Sequence, residues 1–171
     1  MKNIAAILLA SIAITGCKGL MGPAVEVIEC DGSQTDCINN WFDEKFTEML
    51  DFSPILQTSL GIKTDYDKLD DFSEEGIREQ IAWAKQARAE MKANFDHEGL
   101  SDEAKQSYDM FVYLTTSIEK RGDYLDQEYI LHQMQGTHAF LPSFLLSQHT
   151  VENESDMQAF IARLAGIGTA M

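Results

Sequence analysis

The clearest helix pattern in the sequence is the stretch of residues 73–95, SEEGIREQIAWAKQARAEMKANF. Its apolar residues recur at steps of three, four and seven, which places them on one face of an α-helix. Ser73 is a favourable N-cap, and Glu74 and Glu75 suit the positive end of the helix dipole. The stretch therefore predicts a long amphipathic helix, whose inward face comprises Ile77, Ile81, Ala84, Met91 and Phe95.

Helix signals continue on both sides of this stretch. Ser53 precedes Pro54 and Gly61 follows, which predicts a short helix between a cap and a stop, and Ser101 predicts the start of another helix. A last helix is expected from about residue 154 to 166 behind Asn153, with Met157, Phe160, Ile161 and Leu164 facing inward. No alternating strand with a hairpin turn competes, so the sequence predicts an all-α, multi-helix array over residues 37–171.

Composition limits the classes of partner. The chain has 171 residues and a formal net charge of −15. A field of that sign repels phosphate backbones, so nucleic-acid binding is not expected.

The N-terminus carries a targeting signal. Residues 1–16 contain one lysine, then an apolar run and small residues, which is the pattern of a secretory signal peptide too short to span a membrane. The ending Ile14-Thr15-Gly16-Cys17 resembles a bacterial lipobox, which implies cleavage before Cys17 and lipid on that residue. A plain signal peptide with an incidental cysteine is the alternative. In the sorting rule that goes with this resemblance, Lys18 favours the outer membrane, facing the periplasm.

Residues 17–36 are predicted to form a flexible tether, because they are rich in turn-forming residues. Cys30 and Cys37 bracket a short loop there, and an oxidising periplasm permits a disulfide between them. A metal pair is the rival interpretation, but no nearby cysteine or histidine completes a set of four ligands.

Most of the histidines fall in one stretch, residues 131–149, LHQMQGTHAFLPSFLLSQH. His132 and His138 are six residues apart, about 240° around a helix, so they cannot share a face. Gly136 and Pro142 are expected to break the helix here, and Ser143 to start a new one. The polar side chains that interrupt this apolar run either tie backbone ends together in the core or line a cleft: Gln133, Gln135, Thr137 and His138.

No catalytic set is recognisable. His97 and Glu98 begin an HExxH pattern, but Ser101 stands where the second histidine is needed. The chain contains no G-x-S-x-G motif and no glycine loop that would cradle a phosphate. We therefore assign no catalytic residue and no metal ligand.

Four motifs, in order, resemble the bacterial domain of unknown function 885 family. The first two are P-x-x-x-T-x-x-G and Y-D-x-L-x-D-x-S, the third is LSDEAKQSYDMF, and the fourth resembles N-Q-M-x-G-x-H-x-x-L-P. The first two are matched here by Pro54, Thr58, Gly61, Tyr66, Asp67, Leu69, Asp71 and Ser73. In the fourth, His132 stands where asparagine is common.

The resemblance implies a large, mostly helical, zinc-metallopeptidase-like protein that is often secreted or lipid-anchored. Zinc is expected for a full-length member, bound by an HExxH-type motif downstream of the region matched here. No position of this chain matches that motif. Only Gln133, Gly136, His138 and Pro142 carry over, and the first three are possible cleft or ligand contacts.

The sequence therefore predicts the N-terminal portion of a metallopeptidase-like envelope lipoprotein. Its expected partners are the membrane, through the lipid, the remaining C-terminal portion of the parent protein, and peptides. The alternative is a non-catalytic periplasmic lipoprotein that acts as a binding or interaction module.

Overall fold

The computed structural model describes residues 27–127, 133 and 136–168. These residues form six α-helices, two short 3₁₀ segments and no strand, which confirms the all-α prediction. The helices are α1 (Gln34–Asp51), α2 (Pro54–Ser59), α3 (Glu74–Asn94), α4 (Asp102–Arg121), α5 (Thr137–Gln148) and α6 (Glu154–Ile167). The 3₁₀ segments are His97–Gly99 and Gly122–Gln127.

The helix boundaries follow from capping side chains. Ser53, Ser73 and Ser101 each accept a hydrogen bond from the backbone N–H three residues further on, as predicted. Asn153 caps α6 in the same way. Gly61 has φ of +79°, in the left-handed region that glycine adopts without strain, and it ends the α2 segment.

The helical part begins earlier than the predicted boundary at residue 37. Ser33 caps α1, whose first residue is Gln34. The Ile28 N–H donates to Asn94 Oδ1 at 3.0 Å, and Ile28 packs against a cluster of buried residues that includes Ile38 and Met91. The end of the predicted tether is thus attached to the helical domain, while the predicted signal peptide and Cys17 lie outside the described residues.

Cys30 and Cys37 lie on either side of this boundary. Their Cα atoms are 5.9 Å apart and the structure joins them as a disulfide. Cys37 is buried in the first turn of α1, whereas Cys30 is exposed. The bond therefore links the segment before α1 to the helix itself.

A first core cluster joins α1, α3 and the start of α4. Trp41 and Met91 are almost fully buried at its centre, and the Trp41 ring meets Phe111 edge-on with centroids 5.2 Å apart. The buried members are Cys37, Ile38, Trp41, Ala87, Met91, Phe95, Leu100 and Ala104. Apolar burial on this scale stabilises by about 1.5–3 kcal/mol per large side chain.

A second core cluster joins α2, α5 and α6. Its buried members are Ile55, Leu141, Phe144, Leu145 and Ile167. Leu69, from the loop before α3, and Phe160 of α6 pack against it. The loop of residues 62–72 therefore belongs to this second half of the molecule.

The expected helix break at Pro142 is wrong, because Pro142 lies inside α5. Gly136 does mark a boundary, since it is the N-cap residue of this helix. Proline has no N–H, so Pro142 cannot donate a backbone hydrogen bond to the carbonyl of His138, four residues earlier. His138 is exposed and lies in the first turn of α5. The helix continues because Leu141, Phe144 and Leu145 are buried on one side.

The inward face predicted for α6 is also wrong. Met157, Ile161 and Leu164 are 46%, 58% and 56% exposed, and only Phe160 of the predicted set is partly buried. The buried face instead contains Asp156, Ala159, Arg163 and Ile167. Compared with the predicted orientation, α6 is rotated about its own axis, because Asp156 and Arg163 have polar partners in the interior.

Candidate functional site

The residues predicted to line a cleft lie at the start of α5. Gln133 is exposed in a turn, Gly136 is buried and His138 is exposed. None of the three lines the groove or the cavity described below. Their contact with a ligand stays a prediction, and His132 and Gln135 lie outside the described residues.

The fully buried guanidinium of Arg163 is the centre of the polar interior. Its Nε donates to the Lys68 carbonyl at 2.7 Å, and its Nη2 donates to the Pro54 and Asp65 carbonyls at 3.1 and 3.2 Å. Arg163 also lies over the rings of Tyr66 and Phe144, at 5.2 and 5.3 Å. Burial lowers the pKa of Arg163 from its ordinary value.

Arg163 also fixes the tautomer of His149. Its Nη1 lies 3.1 Å from His149 Nδ1, and a guanidinium can only donate, so Nδ1 must be the acceptor. The other ring nitrogen, Nε2, then carries the proton and donates to the Asp156 carbonyl at 3.0 Å. The neutral imidazole stacks on Tyr66 with ring centroids 4.1 Å apart.

Asp156 is tied to the same region from the start of α6. One oxygen lies 2.9 Å from Lys63 Nζ and accepts from the Glu152 backbone N–H at 3.0 Å. The hydrogen bond from Lys63 holds the pKa of Asp156 below its ordinary value, helped by the backbone of Glu152. This ion pair fastens the loop that carries Lys63 to α6.

Asp70 is the partly buried carboxylate at the other end of the loop. Its oxygens accept from Ser53 Oγ at 2.8 Å and from the Ile55 N–H at 2.9 Å. Burial raises the pKa of Asp70 above its ordinary value, against the lowering effect of these two hydrogen bonds. The carboxylate thereby holds the start of α2 against the loop.

Two concave spaces meet at Asp70. A groove of about 490 Å³ runs between residues 67–73 and α6, with Arg163 and Gly166 on its far wall. A smaller, more enclosed cavity of about 220 Å³ lies between α1, α2, α3 and α4. The groove is lined largely by charged residues, whereas the cavity is mainly apolar with a few polar groups, the composition that small-ligand sites favour.

Two further properties concern the described residues alone. They contain no group of three or more histidine, cysteine, aspartate or glutamate side chains placed to hold a metal ion. Among the same residues, no helix combines the length and the apolar character needed to cross a membrane.

Comparison with known proteins places the chain in a family. The model of a family of bacterial proteins of unknown function, DUF885, matches residues 54–171, well over half of the chain. The chain belongs to the DUF885 family. No curated protein and no solved structure matches it.

The DUF885 match starts at Pro54, the first residue of α2, and includes the whole of the second core cluster. It contains the Arg163 network, the groove and most of the cavity lining. Only α1 and the segment before it precede the match, so the Cys30–Cys37 pair lies outside the DUF885 region.

Sequence reasoning missed Arg163 and Asp70 as the polar centres of this DUF885 region. Arg163 is the only basic residue in the sequence of α6, and it lies among Ile161, Leu164 and Ile167. A single arginine in an apolar segment is a signal of a buried, hydrogen-bonded guanidinium. The sequence marks Asp70 less clearly, because its neighbours are also acidic. Acidic segments of this kind are common in exposed loops.

Proposed function

We propose that this DUF885 chain is the N-terminal helical portion of a zinc-metallopeptidase-like lipoprotein of the cell envelope. In that protein it supplies scaffold and one wall of the peptide cleft. The resemblance of its ordered motifs to this family supports the metallopeptidase part of the proposal. In this proposal the zinc motif lies downstream of the matched region. None of the residues described here is assigned to zinc or to catalysis.

The observation that supports a scaffold role is the outer face of α6. Met157, Ile161 and Leu164 follow one another at steps of four and three, so they form one row along the helix. Each is about half exposed, while the opposite face of α6 is buried. An apolar row of this kind suits packing against another helix. We propose the remaining C-terminal portion of the parent protein as its partner.

The lipobox-like ending at Cys17 supports attachment of this protein to a membrane through lipid. Lipid chains bind through buried methylene groups at about 0.8 kcal/mol each, and two or more make anchoring stable. Lys18 supports the outer membrane, facing the periplasm. The 5.9 Å separation of the Cys30 and Cys37 Cα atoms suits a disulfide. A disulfide is favoured in an oxidising compartment such as the periplasm.

The first experiment compares this chain with its full reading frame. Both are purified and incubated with zinc and a mixed peptide library. We expect hydrolysis by the longer protein, its loss on adding a chelator, and no turnover by residues 1–171 alone. Turnover by the short chain, or a reading frame that stops after Met171, would overturn the proposal.

The second experiment tests the α6 row directly. The two parts of the parent protein are expressed separately and their association is measured. Ile161→Glu should weaken association at least about tenfold, because it places a charge in an apolar interface. Gln158→Glu, an exposed change on the same helix but outside the row, is the matched control and should have little effect. Equal effects of the two variants would contradict docking on this row.

The second candidate function is a non-catalytic periplasmic binding module. The cavity of about 220 Å³ favours it, because a protein can bind a ligand there without any catalytic residues. Zinc-dependent peptide turnover by the purified short chain would remove this candidate.

A further inference from the structure

The cavity between α1, α2, α3 and α4 has the composition of a small-molecule site. Its apolar walls are Met49, Phe52, Leu56, Trp83 and Ile118. Its volume is about 220 Å³, and apolar cavities of roughly 150 Å³ are large enough for a benzene-sized molecule.

The aromatic wall of this cavity is held in a fixed position. The rings of Phe52 and Trp83 are tilted by 56° with centroids 5.9 Å apart. The Trp83 indole N–H donates to Glu48 Oε2 at 2.8 Å, and Glu48 is itself paired with Lys45 at 2.8 Å. The faces of such rings attract cations through their quadrupole.

Three polar side chains interrupt the apolar lining: Ser53, Asp70 and Gln80. Asp70 is the charged one, and both of its hydrogen bonds come from neutral donors, Ser53 Oγ and the Ile55 N–H. Among the described residues no direct ion-pair contact includes Asp70. The positive charge of Arg163 acts on Asp70 from a distance and favours its charged form, while the Arg163 N–H groups donate to carbonyls and to His149. A carboxylate oxygen accepts more than one hydrogen bond, so Asp70 retains capacity for a ligand.

We propose that this cavity binds an alkylammonium group, with the charge against Asp70 and the alkyl chain along the Phe52 and Trp83 rings. The ammonium would give this carboxylate a direct ion-pair contact, in addition to the more distant charge of Arg163. The alkyl chain buries apolar area against the side walls. The net charge of −15 draws cations to the surface and raises their rate of encounter. An alkylammonium has two natural sources, a free amine and the lysine side chain of a peptide.

The test uses the purified chain and matched small probes. n-Pentylamine, 1-pentanol and N-acetyl-lysine N-methylamide are titrated separately, and the indole N–H signals of Trp83 and Trp41 are followed by NMR. Trp83 lines the cavity, whereas Trp41 lies in the first core cluster and serves as an internal reference. We expect saturable shifts of the Trp83 signal with the amine and none with the alcohol at the same concentration. Saturation by the lysine derivative in addition identifies a peptide side chain as the source, and saturation by the amine alone identifies a free amine.

Three variants locate the binding. Asp70→Asn removes the charge and keeps groups able to bond to Ser53 and Ile55, and it should weaken amine binding at least about tenfold. Asp67→Asn removes the same charge from an exposed position outside the cavity and should change binding less than about twofold. Leu56→Phe retains every charge and fills part of the cavity, so it should also weaken binding.

The proposal is overturned if the Trp83 signal does not saturate with either ammonium probe. It is also overturned if 1-pentanol binds as tightly as the amine, since the carboxylate then has no role. An equal loss in Asp67→Asn and Asp70→Asn would show attraction by net charge alone and would likewise overturn it. If Asp70→Asn does not fold, Leu56→Phe decides the same question, because unchanged amine binding in that variant excludes the cavity.

Discussion

The two halves of the molecule are held together by different interactions. The half made of α1, α3 and α4 has a core of aromatic and aliphatic side chains around Trp41 and Met91. The half made of α2, the 62–72 loop, α5 and α6 has a smaller apolar cluster and a buried guanidinium that bonds to three backbone carbonyls. Apolar packing depends mainly on volume, whereas the polar network depends on the geometry of each donor. The two halves should therefore respond differently to conservative substitutions.

The largest effect is expected at Arg163. Arg163→Met removes the four hydrogen bonds that the buried guanidinium makes to three carbonyls and to His149, and should lower the free energy of unfolding by about 3–5 kcal/mol. Arg163→Lys should cost nearly as much, because one ammonium cannot reach every acceptor. Urea denaturation measures both. Arg78→Met, at an exposed pair with Glu74, is the control and should change stability by less than about 0.5 kcal/mol.

Met91 tests the apolar half. Met91→Ala should cost about 2–5 kcal/mol by leaving a cavity, while Met91→Leu should cost less than about 1.5 kcal/mol because volume is retained. The same denaturation experiment applies. If Met91→Leu lowered the free energy of unfolding as much as Arg163→Lys, the expected difference between the two halves would be wrong.

A smaller effect is expected from the Cys30–Cys37 disulfide. The cross-link closes a short loop, so changing both cysteines to serine should cost about 2 kcal/mol in the loop-entropy model. Mass spectrometry of exported protein should show the pair about two hydrogens light. Two free thiols would refute the pairing, and a reductant should not further destabilise the double-serine variant.

The Asp156–Lys63 pair predicts a pH dependence. The pKa of Asp156 is lower in the folded chain than its ordinary 3.8, so its stabilisation is fully present above that pH and is lost as the pH falls through the folded pKa. In the Asp156→Asn variant, the free energy of unfolding should fall less steeply as the pH is lowered below about 4. Asp43→Asn, at an exposed carboxylate of α1, is the control, and an equal flattening there would contradict the assignment.

The smallest effect is expected on the outer face of α6. Met157→Gln, Ile161→Gln and Leu164→Gln should each change the stability of this chain by no more than about 0.5 kcal/mol, because the row is already half exposed. Thermal unfolding of the three variants measures this. A loss above about 1 kcal/mol would show that the row packs within the chain itself.

The comparison between the halves also explains what the sequence could predict. Helix periodicity places Ala84, Met91 and Phe95 correctly, because in the apolar half the hydrophobic face is the buried face. The same rule fails for α6, where Arg163 and Asp156 are buried because the loop supplies carbonyls and a lysine from about 100 residues away. Periodicity carries no information about such distant partners.

The candidate site was harder to predict than the fold. Capping residues are local, so Ser53, Ser73 and Ser101 could be assigned from the sequence alone. The cavity next to Asp70 is assembled from four helices and a loop, and no short motif marks it. Pro142 was misjudged for a related reason, since burial of Phe144 and Leu145 outweighs the one hydrogen bond that proline removes.

The Arg163 contacts also set an order in which the chain can become structured. Their acceptors, Lys68, Asp65 and Pro54, precede Arg163 by 95, 98 and 109 residues. Contacts this far apart along the chain close long loops, and such contacts tend to form late in folding. The helices α1, α3 and α4 all lie before Gly122, so their mutual contacts are closer in sequence and can form first. The loop next to the cavity is thus among the last parts of the molecule to acquire its final shape.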